Sequence, residues 1–75
     1  DFMATLIERL KELQEEHKSL KKDIAAHLGV SIMGFYRYEK GERQLPTDKL
    51  IALADYFDVS LDYLVGRSDN PEVNR

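Results

Sequence analysis

The apolar residues of this chain recur at intervals of three and four positions, and no segment alternates apolar and polar residues as a β-strand does. Leu6, Leu10 and Leu13 form the first such stripe, which predicts an amphipathic helix over about residues 4–17. Spacing of this kind argues against a sheet and favours a set of short helices. At 75 residues the chain is long enough for one domain with one small core.

Local start and stop signals predict four further helices. They cover about residues 20–28, 32–40, 46–58 and 61–65. Gly29 stands after the second helix, where a left-handed backbone conformation is usual, and Ser31 can cap the third helix by accepting a hydrogen bond from a free amide. Val30, between them, should point inward. A helix, a tight glycine turn and a second helix therefore follow from local chemistry.

The two ends of the chain are expected to lie outside this set of helices. Asp1 and Phe2 precede Met3, so we interpret them as a remnant of expression, with Met3 as the natural start. The segment at residues 67–75 is polar and contains Asn70 followed by proline. We therefore expect it to be a loose tail.

The formal net charge of −3 is unevenly distributed along the chain. Residues 18–43, which include the predicted helix-turn-helix, carry +3, whereas residues 1–17 and residues 44–75 each carry −3. An anionic partner should therefore meet the middle of the chain. From the charge counts alone, a solvated charged surface is an equally good interpretation.

Several classes of site find no support in the sequence. The absence of cysteine excludes disulfides, thiolate zinc sites and cysteine nucleophiles. Asp23 and His27 share a helix face, but no second ligand pair is spaced to complete a metal site, and an exposed histidine is the simpler interpretation. Without a glycine-rich phosphate loop or an activated serine, we expect no enzyme activity, cofactor or small-molecule ligand. We also expect no membrane span and no signal peptide.

Three segments resemble the Cro/repressor-type helix-turn-helix regulators, also called the XRE family. They are LGVS at 28–31, YEKGER at 38–43 and ADYFDVSLDYLVG at 54–66, and the similarity extends over about residues 6–66. The resemblance implies an all-α, compact five-helix, lambda-repressor-like DNA-binding domain at residues 1–66, with its helix-turn-helix at helices 2 and 3. It also implies a sequence-specific transcriptional regulator of the repressor type, acting in the cytoplasm of a prokaryotic cell or a phage-infected host.

The resemblance also implies a role for three groups of residues. The third helix would enter the major groove of double-stranded DNA and read bases with Ile32, Met33, Gly34, Tyr36 and Arg37. Phosphates would be bound by Lys21, Ser31, Lys40 and Arg43. A homodimer would form through the fifth helix, with Leu61, Tyr63, Leu64 and Val65 as candidates. Tyr63 and Leu64 cannot both face inward equally, so we expect one of them at the partner surface.

Two departures from the family pattern bear on the reading helix. Many members carry Arg where this chain has Gln14, paired with a Glu that corresponds to Glu39, so here we expect only a hydrogen bond between these two side chains. The start of the third helix is usually polar in the family, but in this chain it is apolar. Ile32 and Met33 can contact a thymine methyl group but cannot satisfy a hydrogen-bonding base edge. Base discrimination would then depend on Arg37, which can bind guanine O6 and N7, and on Tyr36. The same apolar pair favours the alternative of a protein-interaction module of the antitoxin or anti-repressor type.

Overall fold

A computed structural model describes residues 2–73, apart from the side chain of Phe2. Asp1 and the last two positions of the predicted tail lie outside these residues. Within them the chain forms α1 (Phe2–His17), α2 (Lys21–Leu28), α3 (Ile32–Glu39), α4 (Thr47–Phe57) and α5 (Leu61–Leu64), without a strand. The predicted all-α, five-helix fold class is confirmed. None of these helices is both long and apolar enough to span a bilayer.

Glycine and serine residues mark the ends of several helices. Gly29 adopts a left-handed conformation with φ of 73° at the end of α2. The Oγ atoms of Ser31 and Ser60 each accept a backbone hydrogen bond of 3.0 Å in the first turn of α3 and α5, respectively. At the start of α2, by contrast, Leu20 occupies the cap position and makes no side-chain hydrogen bond, and the same holds for Pro46 at the start of α4. The two helices of the helix-turn-helix therefore begin with caps of different strength.

All five helices contribute to a single core. Phe35 is fully buried and is the inward residue of α3, while Tyr38 lies one turn later on the same side. Val30, in the turn, packs against the core with part of its surface exposed. The other buried apolar residues are Leu6, Leu10, Leu13, Ile24, Ala25, Leu28, Leu45, Leu53, Ala54, Phe57, Val59 and Leu64. The core thus holds α3 by one face and leaves the other face outward.

The segment after α5 folds back against the domain. Arg9, on α1, donates hydrogen bonds to the carbonyl oxygen of Ser68 at 2.7 Å and to Oδ1 of Asp69 at 2.8 Å. The amide of Ser60 donates to the carbonyl oxygen of Pro71 at 2.9 Å. Within the predicted tail, residues 68–71 therefore have partners on α1 and at the start of α5 that the local sequence does not reveal.

Candidate nucleic-acid interface

The outward face of α3 consists of the side chains that the sequence analysis assigned to base reading. Ile32 and Met33 are 40% and 59% exposed, so neither is packed into the core. Arg37 is exposed one turn further along, and Tyr36 is half-buried beside it. The structure therefore brings these residues together on one surface of the second helix of the motif.

Gly34 and Ser31 form the start of this surface. Ser31 Oγ accepts the hydrogen bond from the amide of Gly34, which fixes the first turn of α3. A Cβ atom added at Gly34 would lie 3.3 Å from that same oxygen, closer than an ordinary van der Waals contact. Glycine at this position therefore leaves room for the cap. Because the Ser31 oxygen is the acceptor in the cap, its hydroxyl hydrogen can still be donated to an anion outside the helix.

A closed network of three side chains ties α3 to the two preceding helices. Glu39 Oε2 accepts a hydrogen bond of 2.9 Å from Gln14 Nε2 and lies 2.7 Å from Lys21 Nζ. Lys21 Nζ also donates to Gln14 Oε1 at 2.9 Å. The Glu39 side chain is only 11% exposed, so its charge needs these donors. The network joins α1, α2 and α3 at one carboxylate.

The role of Lys21 in this network was missed from the sequence. The expected hydrogen bond between Gln14 and Glu39 is confirmed, but the cation that balances Glu39 comes from α2. A neutral residue at position 14 facing an acidic residue at 39 was the signal that a cation had to come from elsewhere. Lys21 was assigned to phosphate instead, and its ammonium group is here engaged by two protein groups. Phosphate contact by Lys21 stays a prediction.

Further cations surround the end of α3. Lys40 and Arg43 are exposed just after the helix, and the Arg43 guanidinium lies 5.5 Å from the centre of the Tyr38 ring. A cleft of about 500 Å³ separates α1 from the end of α3, and its lining residues are Ile7, Lys11, Lys21, Tyr36, Glu39 and Lys40. Lys11 was also missed, because it belongs to the acidic first segment of the chain. The positively charged surface therefore extends beyond the basic segment at residues 18–43 to include Lys11.

The residues predicted for dimerisation do not share one surface. Leu64 is fully buried in the core of the single chain, so its assignment to a dimer interface is wrong. The four-residue helix α5 must bury one side against α1 and α4, and Leu64 is on that side. Tyr63 is half-buried, with the Arg9 guanidinium 4.2 Å from the centre of its ring. Leu61 is exposed and Val65 half-buried, which leaves a small apolar surface.

The two histidines are exposed, as expected, and both pack against aromatic rings. His17 lies 5.4 Å from Phe57 and His27 lies 5.1 Å from Tyr56, measured between ring centres. Among residues 2–73, no group of three potential ligands is close enough together to hold a metal ion.

Comparisons with known proteins match the region that forms these helices. The family profile described as Helix-turn-helix matches residues 10–64. The chain is 35% identical over 65 residues to YobD of Bacillus subtilis, an uncharacterised HTH-type transcriptional regulator, covering 87% of this chain and 58% of YobD. No solved structure matches the chain at a significant level.

Two further relatives carry names that state a regulatory role. The HTH-type transcriptional regulator ImmR of Bacillus subtilis is 31% identical over 70 residues, which are 93% of this chain and 55% of ImmR. The cryptic phage CTXphi transcriptional repressor RstR of Vibrio cholerae is 30% identical over 60 residues, which are 80% of this chain and 54% of RstR. The chain thus spans little more than half the length of the relatives described.

Proposed function

The chain belongs to the XRE-type helix-turn-helix family of transcriptional regulators, and from this membership we propose that it is a sequence-specific DNA-binding regulator of the repressor type. In this proposal α3 enters the major groove of double-stranded DNA. The observation that carries the proposal is the outward face of α3, where Ile32, Met33 and Arg37 are exposed while Phe35 fixes the helix from within. The name of the phage repressor among the relatives supports the direction of control.

Base reading would depend on one charged and two apolar side chains. Arg37 can donate two hydrogen bonds to O6 and N7 of a guanine, a pairing that discriminates by about 1–3 kcal/mol against the wrong base. Ile32 and Met33 would contact thymine methyl groups. Gly34, which follows Met33, carries no side chain, so the backbone of α3 can approach the floor of the groove. The expected site therefore combines guanine with neighbouring thymines.

Phosphate binding would hold α3 in its register on the duplex. Lys40 and Arg43 are exposed where the chain leaves α3, and Ser31 has a hydroxyl hydrogen to donate at the other end. Each ammonium or guanidinium group that neutralises a phosphate releases a counterion, so binding should weaken as salt increases.

We further propose a two-fold homodimer in the cytoplasm of a prokaryotic cell or a phage-infected host. Leu61, Tyr63 and Val65 would form its surface, since Leu64 is unavailable. The exposed apolar area on α5 is small, and the partner proposed for it is a second copy of the chain. Half-sites would then be about 34 Å apart along the duplex.

Selection of binding sites from random duplex DNA, at low and at moderate salt, tests this function. We expect enrichment of a common sequence and a steep fall of affinity with salt. The Arg37→Ala variant should relax sequence preference at one position, whereas Lys40→Ala and Arg43→Ala should weaken binding to every duplex and each reduce the salt slope by about 0.9. An enriched site that is unaffected by Arg37→Ala would remove Arg37 from base reading.

The alternative is a protein-interaction module of the antitoxin or anti-repressor type on the same fold. The exposed pair Ile32 and Met33 favours it, because apolar side chains at the start of α3 suit a protein surface as well as thymine. The +3 segment at residues 18–43 favours DNA. No enriched sequence and no salt-dependent retention in the selection would leave the interaction module as the better proposal.

A further inference from the structure

We propose that the cleft between α1 and the end of α3 binds a backbone phosphate of the DNA, which makes α1, through Lys11, a third DNA-contacting helix. The inference rests on the proposed function and adds an element that neither the sequence nor the family comparison assigned to DNA. Its basis is the lining of the cleft, which includes three lysines and one glutamate.

The charges in the cleft do not cancel. Lys21 and Glu39 pair with each other at 2.7 Å, and Glu39 Oε2 also accepts from Gln14. Within residues 2–73, the ion pairs involve neither Lys11 nor Lys40. Two ammonium groups without an acidic partner therefore border a cavity of about 500 Å³. Like charges that share a cleft repel each other, and an anion between them removes that cost.

The remaining lining residues suit a nucleotide rather than a bare ion. Ile7 and the ring of Tyr36 supply apolar surface beside the lysines. A phosphodiester carries a charged phosphate flanked by deoxyribose, whose carbon atoms can contact such a surface. A bare inorganic anion would gain nothing from Ile7.

The position of the cleft connects it to the proposed reading helix. Tyr36 and Lys40 line the cleft and belong to α3 or follow it directly, so the cleft borders the surface that would face the major groove. A duplex with α3 in its groove has its backbone at the edges of that helix. The cleft is also open to solvent, so a duplex backbone can approach it directly.

The test combines a protein variant with neutral phosphates in the duplex selected by the wild-type chain. Each backbone phosphate is replaced in turn by an uncharged methylphosphonate, and affinities are measured for the wild type and for Lys11→Gln. Arg67→Gln is the matched control, because it removes the same charge from an exposed residue after α5, beside Asp62. Lys11 is exposed, so thermal unfolding should show an unchanged stability for Lys11→Gln.

We expect Lys11→Gln to weaken binding severalfold and to reduce the salt slope by about 0.9, while Arg67→Gln leaves the slope unchanged. At one or two adjacent phosphates, the neutral linkage should lower the affinity of the wild type severalfold. The same linkage should not lower the affinity of Lys11→Gln any further. Such non-additivity identifies the phosphate that Lys11 contacts.

Additive effects at every phosphate, or an unchanged salt slope, would overturn the inference while leaving the proposed function intact. A second result would also overturn it: the effects are additive, and the wild type binds inorganic phosphate saturably whereas Lys11→Gln does not. The cleft would then be a site for a free anion. If the wild-type chain binds no duplex in a salt-dependent way, the proposed function fails and this inference fails with it.

Discussion

Gly66 illustrates how a single position constrains the packing of α5. Its φ is +86°, a conformation that L-residues adopt at a cost of about 1–2 kcal/mol. In addition, a Cβ atom there would lie 2.9 Å from Cγ2 of Thr5, on α1. Gly66 therefore allows both the turn after α5 and the close approach of α1.

The Gly66→Ala variant should lower the free energy of unfolding by about 2–4 kcal/mol, because strain in the backbone and the contact with Thr5 add together. Gly29→Ala is the matched control. Its φ of +73° imposes the same conformational cost, but its Cβ would lie 3.6 Å from Lys49 Nζ, an ordinary contact. Urea unfolding of the two variants measures the difference. Equal losses of stability would show that the approach of α1 to Gly66 does not matter.

At the scale of the elements, the helix-turn-helix is held by a polar network rather than by apolar contacts alone. Gln14, Lys21 and Glu39 come from three helices and share one carboxylate oxygen. Removal of Lys21 leaves the mostly buried charge of Glu39 without its cation. This change lowers the free energy of unfolding by more than the intact pair adds to it. Lys21 and Gln14 thus attach the end of α3 to α2 and α1.

Replacement of Lys21 by Gln should lower the free energy of unfolding by about 1–3 kcal/mol, since a hydrogen-bonded, poorly hydrated charge loses its partner. The double variant Lys21→Gln/Gln14→Arg should recover most of that loss, because arginine at position 14 on α1, from which Gln14 already reaches Glu39, supplies the missing cation. Chemical denaturation of the two variants and of Gln14→Arg alone gives the coupling. If the double variant does not recover the lost stability, Glu39 does not require a cation.

Arg9 connects α1 to the segment after α5. Its guanidinium donates to the carbonyl oxygens of Tyr63 and Ser68 and pairs with Asp69, while it also covers the Tyr63 ring. Arg9→Met keeps much of the apolar stem but removes every donor, so we expect a loss of about 1–3 kcal/mol and faster hydrogen exchange of the Ser60 amide.

Asp69→Asn is the control for Arg9→Met. The Asp69 side chain is fully exposed, so its ion pair should contribute little to stability. If the two variants lose stability equally, the surface ion pair rather than the carbonyl contacts holds the segment.

For the molecule as a whole, the sequence predicted the features that depend on neighbouring residues. The stripe Leu6, Leu10 and Leu13, the left-handed Gly29 and the cap at Ser31 each follow from a few adjacent positions, and all are present. The five helices follow from the same local rules. This is why the fold class could be predicted without a structure, whereas the base-reading residues of α3 were implied only by the family resemblance.

Contacts between distant residues could not be predicted in the same way. Lys21 meets Glu39, and Arg9 meets Ser68, only because the core brings their helices together. Leu64 was misassigned because two adjacent apolar residues in a one-turn helix give no spacing from which the buried one can be chosen. The partners of long charged side chains depend on tertiary packing, and a single sequence does not specify them.

The central claim is that α3 lies in the major groove, and substituted guanines test it most directly. In the selected duplex, each guanine is replaced by 7-deazaguanine, which lacks the N7 acceptor of the major groove, or by inosine, which lacks the amino group of the minor groove. We expect 7-deazaguanine at one position to lower the affinity of the wild type by about fivefold or more, and inosine to leave it unchanged. In Arg37→Ala, the same 7-deazaguanine should cause no further loss of affinity. Loss from inosine with none from 7-deazaguanine would contradict insertion of α3 into the major groove.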